Sequence, residues 1–179
     1  MEASDIDGAI TRMCRDFIWH APVEILIVGG AAGLVTGVLG PERATGDIDV
    51  MDYRPADAMA EVELLAERIG KEIGLPEGWF NSNVQIRADS LPDGWAQRRI
   101  FVERGLWLSV YAVSRKDLLA MKFLAHRPKD LEDIDRLGVS EDDKEFVRQY
   151  LQQLPTRGTD PRDVAEAIGV LELWKVKSP

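Results

Sequence analysis

Apolar side chains recur at Ile6, Ile10, Met13 and Phe17, a spacing that predicts a helix over residues 6–18 with one face turned inward. Pro22 interrupts that pattern, and Val23–Val28 follows as an almost unbroken apolar run of the kind that forms a buried strand. Gly29 and Gly30 close the run, after which the small and apolar residues of 31–39 suit a short helix packed close to a sheet. A loop over 40–46 leads to residues 47–53, where acidic and apolar side chains alternate with the period of a strand. Strict alternation predicts Asp47, Asp49 and Met51 on one face and Ile48, Val50 and Asp52 on the other.

Residues 56–73 read as an amphipathic helix through Met59, Val62, Leu65, Ile69 and Ile73. The stretch 75–83 reads as a Pro/Gly-rich loop, 84–88 as a short strand, and 99–104 with 106–113 as a hairpin across Gly105. From there on the pattern is helical. Ser114 followed by Asp117 has the form of a capping box and opens a helix to His126, and Pro128 suits the first turn of a helix that Gly138 ends after Leu137. Ser140 with Asp143 repeats the cap before a helix to Leu154, and Asp160 with Pro161 starts a last helix reaching about Trp174. The expected architecture is an α/β (α+β) fold: a small mixed sheet flanked by helices over 1–113, with 114–179 as a helical C-terminal part packed on that core.

Length changes this picture little, because 179 residues fit one domain with a small extension. No apolar run approaches the roughly 18 residues of a membrane span, and acids stand near the N-terminus where a secretory signal would be basic. The expectation is a cytoplasmic protein with no membrane partner. Cys14, the single cysteine, has no internal disulfide partner and sits in the first apolar stripe, where burial makes it a poor nucleophile. The formal net charge of −9 argues against broad, non-specific binding to nucleic acid. Basic residues nevertheless gather over 95–129, where eight Lys and Arg face only Glu103 and Asp117. Such a segment is either a solvated surface or one that faces phosphates.

Chemistry concentrates around the two glycines and the two aspartates. Asp47 and Asp49, at i and i+2, share one strand face, and two adjacent carboxylates repel unless a cation neutralises them. A hard divalent ion such as Mg²⁺ or Mn²⁺ does so with oxygen ligands. Gly29 and Gly30 let backbone N–H groups approach a phosphate without side-chain hindrance, and a following helix start favours an anion. Either feature alone more often means a tight connection or an exposed strand end. Their order, together with Arg43 and Thr45 in the run Arg-Ala-Thr-Gly-Asp-Ile-Asp, is much more specific.

Over residues 25–51 this combination resembles the nucleotidyltransferase superfamily, which places Gly-Gly or Gly-Ser before a helix and Asp-x-Asp on the next strand. Within it the chain is similar to the branch of AbiE-type toxins from toxin–antitoxin systems and related small bacterial domains. The second half carries that likeness in Lys122, Ala125, Arg127, Asp130 and Asp133. The resemblance implies transfer of a nucleotidyl group from a nucleoside triphosphate (NTP), with Asp47 and Asp49 as metal ligands and catalytic residues. It also implies Gly29, Gly30, Arg43 and Thr45 on the nucleotide, Lys122 on its phosphates, and Asp130 or Asp133 orienting that lysine or the acceptor. The acceptor is left open between RNA, protein and a small molecule, and a toxin role would bring a partner protein encoded elsewhere. On the residues alone, Lys122 can instead snorkel from an apolar helix face, and the two acids can favour a helix N-terminus.

One departure stands out. The superfamily usually supplies a third carboxylate from a later strand, and 106–113 contains none, with Ser109 and Tyr111 in its place and Glu103 on the strand before as a substitute. The site is then either reduced in its metal ligands or a catalytically degenerate module that binds nucleotide or a protein. Other chemistries fit less well. The glycine spacing is wrong for a dinucleotide fingerprint, no Gly-Lys-Ser/Thr phosphate loop is present, and His20 and His126 are too few for zinc. Trp79, Trp95, Trp107 and Trp174 are expected in core or loop packing rather than base stacking.

Overall fold

A computed structural model of the chain describes residues 1–176, the side chains of 85–88 excepted; the expected C-terminal part therefore ends in three residues, 177–179, that lie outside the described ones. Elements follow in the order α1 (Ala3–Asp16), β1 (Val23–Val28), α2 (Gly29–Val35), β2 (Ile48–Arg54), α3 (Met59–Ile73), β3 (Phe80–Asn81), α4 (Trp95–Arg98), β4 (Ile100–Arg104) and β5 (Leu108–Ala112). Four helices complete the chain: α5 (Arg115–Ala125), α6 (Pro128–Leu137), α7 (Glu141–Gln153) and α8 (Pro161–Leu173). By packing, Met1–Ala88 with Arg99–Val113 make one compact unit, and Asp89–Arg98 with Ser114–Pro179 a second. The fold is a mixed α/β one, built on a five-stranded sheet in the first unit.

In that unit the sheet order is β3-β2-β1-β5-β4. β1 runs antiparallel to β2 and parallel to β5, while β2 and β3 are parallel and β4 and β5 antiparallel. The stripe Ile6, Ala9, Ile10, Met13 and Cys14 is the buried face of α1, and Val62, Leu65, Ala66 and Ile69 are that of α3. α1 starts three residues earlier than its apolar pattern, because Glu2 and Asp5 cap each other's backbone N–H groups. Burial, with the charge of Glu103 added, pushes the Cys14 thiol up to about 12, so it stays protonated and unreactive at neutral pH.

Three expectations are corrected. Residues 84–88 are not a strand; they lie in a 3₁₀ stretch, Asn83–Ser90. The expected loop over 75–83 contains β3, two residues long. The alternation along β2 breaks as well, because Leu26 pairs with Asp52 while Ile27 pairs with Val50, which leaves Met51 as an extra residue. This bulge turns Met51 into the core and leaves Asp52 half-buried like Asp49.

β3 is too short to hold itself, and Trp79 holds it in place. The buried Trp79 indole donates to the Ala66 carbonyl of α3 at 3.1 Å and lies where a side chain on Gly70 would be. Its own carbonyl accepts from Ile48 N–H at 2.6 Å, which extends the ladder beside β2. On the other side of Asn81, Ser82 shares a hydrogen bond with the Tyr53 hydroxyl at 2.6 Å and donates to Glu63 at 2.5 Å. Ser82 is thus drawn toward α3, and Asn81, one residue earlier, faces the opposite side.

The second unit has its own core of Phe123, Ile134, Val147, Leu151, Leu154 and Leu171, among others. Its capping follows the sequence: Ser114 accepts from Asp117 N–H, and Ser140 and Asp143 form a reciprocal box. The stretch 89–98 belongs here because Arg98 pairs with the buried Asp117 and the Tyr150 hydroxyl donates to the Ser90 carbonyl at 2.7 Å. Among the described residues, no helix is long and apolar enough to cross a membrane.

Candidate active site

The strand-to-helix junction β1–α2 requires glycine at position 29. Gly29 has φ +69°, in the left-handed region, and a Cβ there would lie 3.0 Å from Asp49 Oδ2. The backbone therefore comes up against the carboxylate with no side chain between them. A Cβ on Gly30 would meet Thr45 Oγ1 at 3.0 Å and the Arg43 guanidinium at 3.3 Å. Arg43 and Thr45 are both buried, at 7% exposure, and brace the loop that leads into β2. Arg43 donates to the Ala44 carbonyl, and the Thr45 hydroxyl to the Asp47 carbonyl at 3.3 Å. The structure thus brings Gly29 to Asp49, and Gly30 to Arg43 and Thr45.

Asp47 and Asp49 are half-buried, and β3 links them. Asn81 is the register partner of Asp49, and its side-chain amide donates to Asp47 Oδ2 at 3.3 Å. Cross-strand partners present their side chains to the same face, so a residue opposite one aspartate and bonded to the other draws both toward that face. Asn81 was not foreseen, since nothing in a Pro/Gly-rich segment marks a two-residue strand. The available signal was Gly70, a glycine inside a strong helical pattern, which often reports the close approach of another group.

The donor set fits a hard divalent ion. Two carboxylates offer oxygen ligands of the type Mg²⁺ and Mn²⁺ take, and the bare Gly29 backbone leaves beside Asp49 a space that a Cβ would fill. Among the described residues no three His, Cys, Asp or Glu side chains converge, and Ser109 and Tyr111 on β5 are not acids. The strand that borders β2 on the side away from β1 is β3, and it carries the neutral Asn81. Elsewhere in this unit, a surface depression of ≈ 370 Å³ is lined by Phe17, Ile18, Leu64, Leu65 and Arg68 with Asp16 and Glu61. It includes neither the glycines nor the acids of β2.

In the second unit the structure brings together Lys122, Asp130 and Asp133. Lys122 is 4% exposed, and its ammonium donates to Asp130 at 3.1 Å and to Asp133 at 2.7 Å. Arg127 donates to the second oxygen of Asp130 at 2.7 Å, and Arg136 lies 3.8 Å from Asp133. Burial alone would raise the Asp130 carboxyl, but the Arg127 hydrogen bond and the Lys122 charge outweigh it and hold it below the usual Asp range. Lys122 is thus a buried cation between two buried anions.

No curated protein matches the chain. The model of the DUF6036 family, described as a nucleotidyltransferase of unknown function, matches residues 9–156, which takes in the glycine turn, the aspartate strand, β3 and the Lys122 cluster. On a match covering most of its length, and with Gly29 set against Asp49 at the head of the sheet, the chain belongs to this nucleotidyltransferase family.

Proposed function

We propose that the chain is a metal-dependent nucleotidyltransferase whose site is built on Asp47 and Asp49. The observation that carries the reading is the bare approach of Gly29 to Asp49 Oδ2 at the β1–α2 junction. Asp47 and Asp49 would hold Mg²⁺ or Mn²⁺, which when bound neutralises phosphate charge and draws the α-phosphate and an acceptor oxygen together. Gly29 and Gly30 present backbone N–H groups to the NTP phosphates, and Arg43 and Thr45 keep the loop closed over Gly30. In the reaction a bond forms between the acceptor oxygen and the α-phosphorus, the acceptor O–H proton is lost to solvent, the α–β P–O bond breaks, and pyrophosphate leaves. The protein's own contribution is alignment and fixed charge.

In this reading the acceptor is RNA or protein. The likeness to AbiE-type toxins supports a toxin-like role beside a partner protein. A second reading, a degenerate module that binds nucleotide or protein without turnover, is favoured by the neutral side chain of Asn81 beside the two aspartates.

The deciding experiment incubates the protein with each labelled NTP, Mg²⁺ and cell extract, beside the Asp49→Asn variant. Enzyme activity predicts a labelled acceptor with the parent and none with Asp49→Asn at unchanged melting temperature. A parent that binds nucleotide and labels nothing is the degenerate nucleotide-binding module, and a parent that binds no nucleotide with or without metal overturns the enzyme and leaves the protein-binding module.

A further inference from the structure

Asn81 stands in a position that decides how many charges the site carries. Its amide is held from both ends: Oδ1 accepts from Asn83 N–H at 3.2 Å, and Nδ2 donates to Asp47 Oδ2 at 3.3 Å. The two ends of an Asn amide are interchangeable by rotation, but here both neighbours choose the same orientation. A backbone N–H can only donate, and an ionised carboxylate can only accept. The group turned toward Asp47 is therefore a donor, and its hydrogen bond pins the Asp47 rotamer.

A carboxylate at position 81 would do the opposite. It would oppose Asp49 in register and face Asp47 across the same short distance, acceptor against acceptor, in a half-buried setting. Such a group of three anions is tolerable only with more positive charge between them. Two carboxylates and one amide balance the charge of a single divalent ion.

We propose that Asn81 is a positioning residue of the metal site: it orients the Asp47 carboxylate and limits the site to one divalent ion. This rests on the nucleotidyltransferase reading above. The residue acts through Asp47 rather than on the nucleotide, so its signature lies in metal affinity and stoichiometry.

The experiment titrates Mn²⁺ alone into the parent, Asn81→Ala, Asn81→Asp and Asp49→Asn, read by calorimetry and by the spin resonance of free Mn²⁺, with melting temperatures in the same buffers. One Mn²⁺ is expected per parent chain. Asn81→Ala should weaken Mn²⁺ binding by roughly tenfold, the effect of one lost hydrogen bond to a charged group, while its melting temperature stays near the parent's. Asn81→Asp should melt below the parent without metal and take up a second Mn²⁺ that restores its melting temperature.

Mn²⁺ affinity in Asn81→Ala equal to the parent's, whether or not it melts lower, would reduce Asn81 to a structural residue. A single ion in Asn81→Asp would overturn the stoichiometry. If the parent binds no Mn²⁺, or binds it as well after Asp49→Asn, the metal reading itself fails and this proposal with it. If the parent's binding depends on Asp49 but not on Asn81, only the proposal fails.

Discussion

The Cβ position of Gly29 lies 3.0 Å from Asp49 Oδ2, at a backbone φ of +69°. Gly29→Ala meets two costs at once: the left-handed conformation, about 1–2 kcal/mol for an L-residue, and crowding of the carboxylate. We expect the unfolding free energy from urea titration to fall by an amount in that range, together with loss of Mn²⁺-dependent nucleotide binding. Binding at the parent's affinity in a folded Gly29→Ala variant would separate the glycine from the site.

Gly70→Ala sets two effects against each other. Alanine is the better helix former by about 1 kcal/mol, but its methyl group would overlap the buried Trp79 indole, a rigid ring that also donates to the Ala66 carbonyl. Overpacking of this kind costs about 1–3 kcal/mol, so net destabilisation is expected. The displaced Trp79 should also release β3 and Asn81 from Asp47, weakening Mn²⁺ binding. A more stable Gly70→Ala variant in chemical denaturation would mean that Trp79 does not anchor β3.

Lys122→Met keeps the aliphatic stem and removes the ammonium between Asp130 and Asp133. Removing one member of a buried ion cluster costs about 3–5 kcal/mol, with the low end expected here because Arg127 and Arg136 still neighbour the two acids. Thermal unfolding should show a clear loss, partly reversed by adding Asp133→Asn. Unchanged stability with weakened nucleotide binding would instead assign Lys122 to the phosphates.

Acid should act on the second unit through Asp130 and Asp143. At Asp143, burial raises the carboxyl, but the Arg115 hydrogen bond and the Ser140 cap outweigh it and hold it below the usual Asp range, as at Asp130. A folded-state value depressed in this way gives stability that is fully present above the ordinary Asp value of about 3.9 and is lost as pH falls through the lower folded value. Melting temperature followed from pH 7 to pH 3 should fall in that acid window, and less steeply for Asp143→Asn than for the parent. Identical slopes would place the acid sensitivity on other groups.

Much of this protein was legible in the sequence because it rests on local physics. Apolar spacing marks α1 and α3 without reference to the rest of the chain, and Ser114 and Ser140 announce their helices by capping N–H groups three residues away. The β1–Gly29–Gly30–α2 turn and the strand that carries Asp49, with Asp47 just before it, are equally local. Tertiary structure alone decided what depends on distant partners. Two residues show no periodicity, so β3 exists only because Trp79 docks on α3 and Ile48 N–H pairs with its carbonyl, and the role of Asn81 follows from that pairing. The bulge at Met51 arises from register against β1. The Lys122 triad forms because α5 and α6 pack together, and burial, which no spacing of charges reveals, requires that the ammonium be paired.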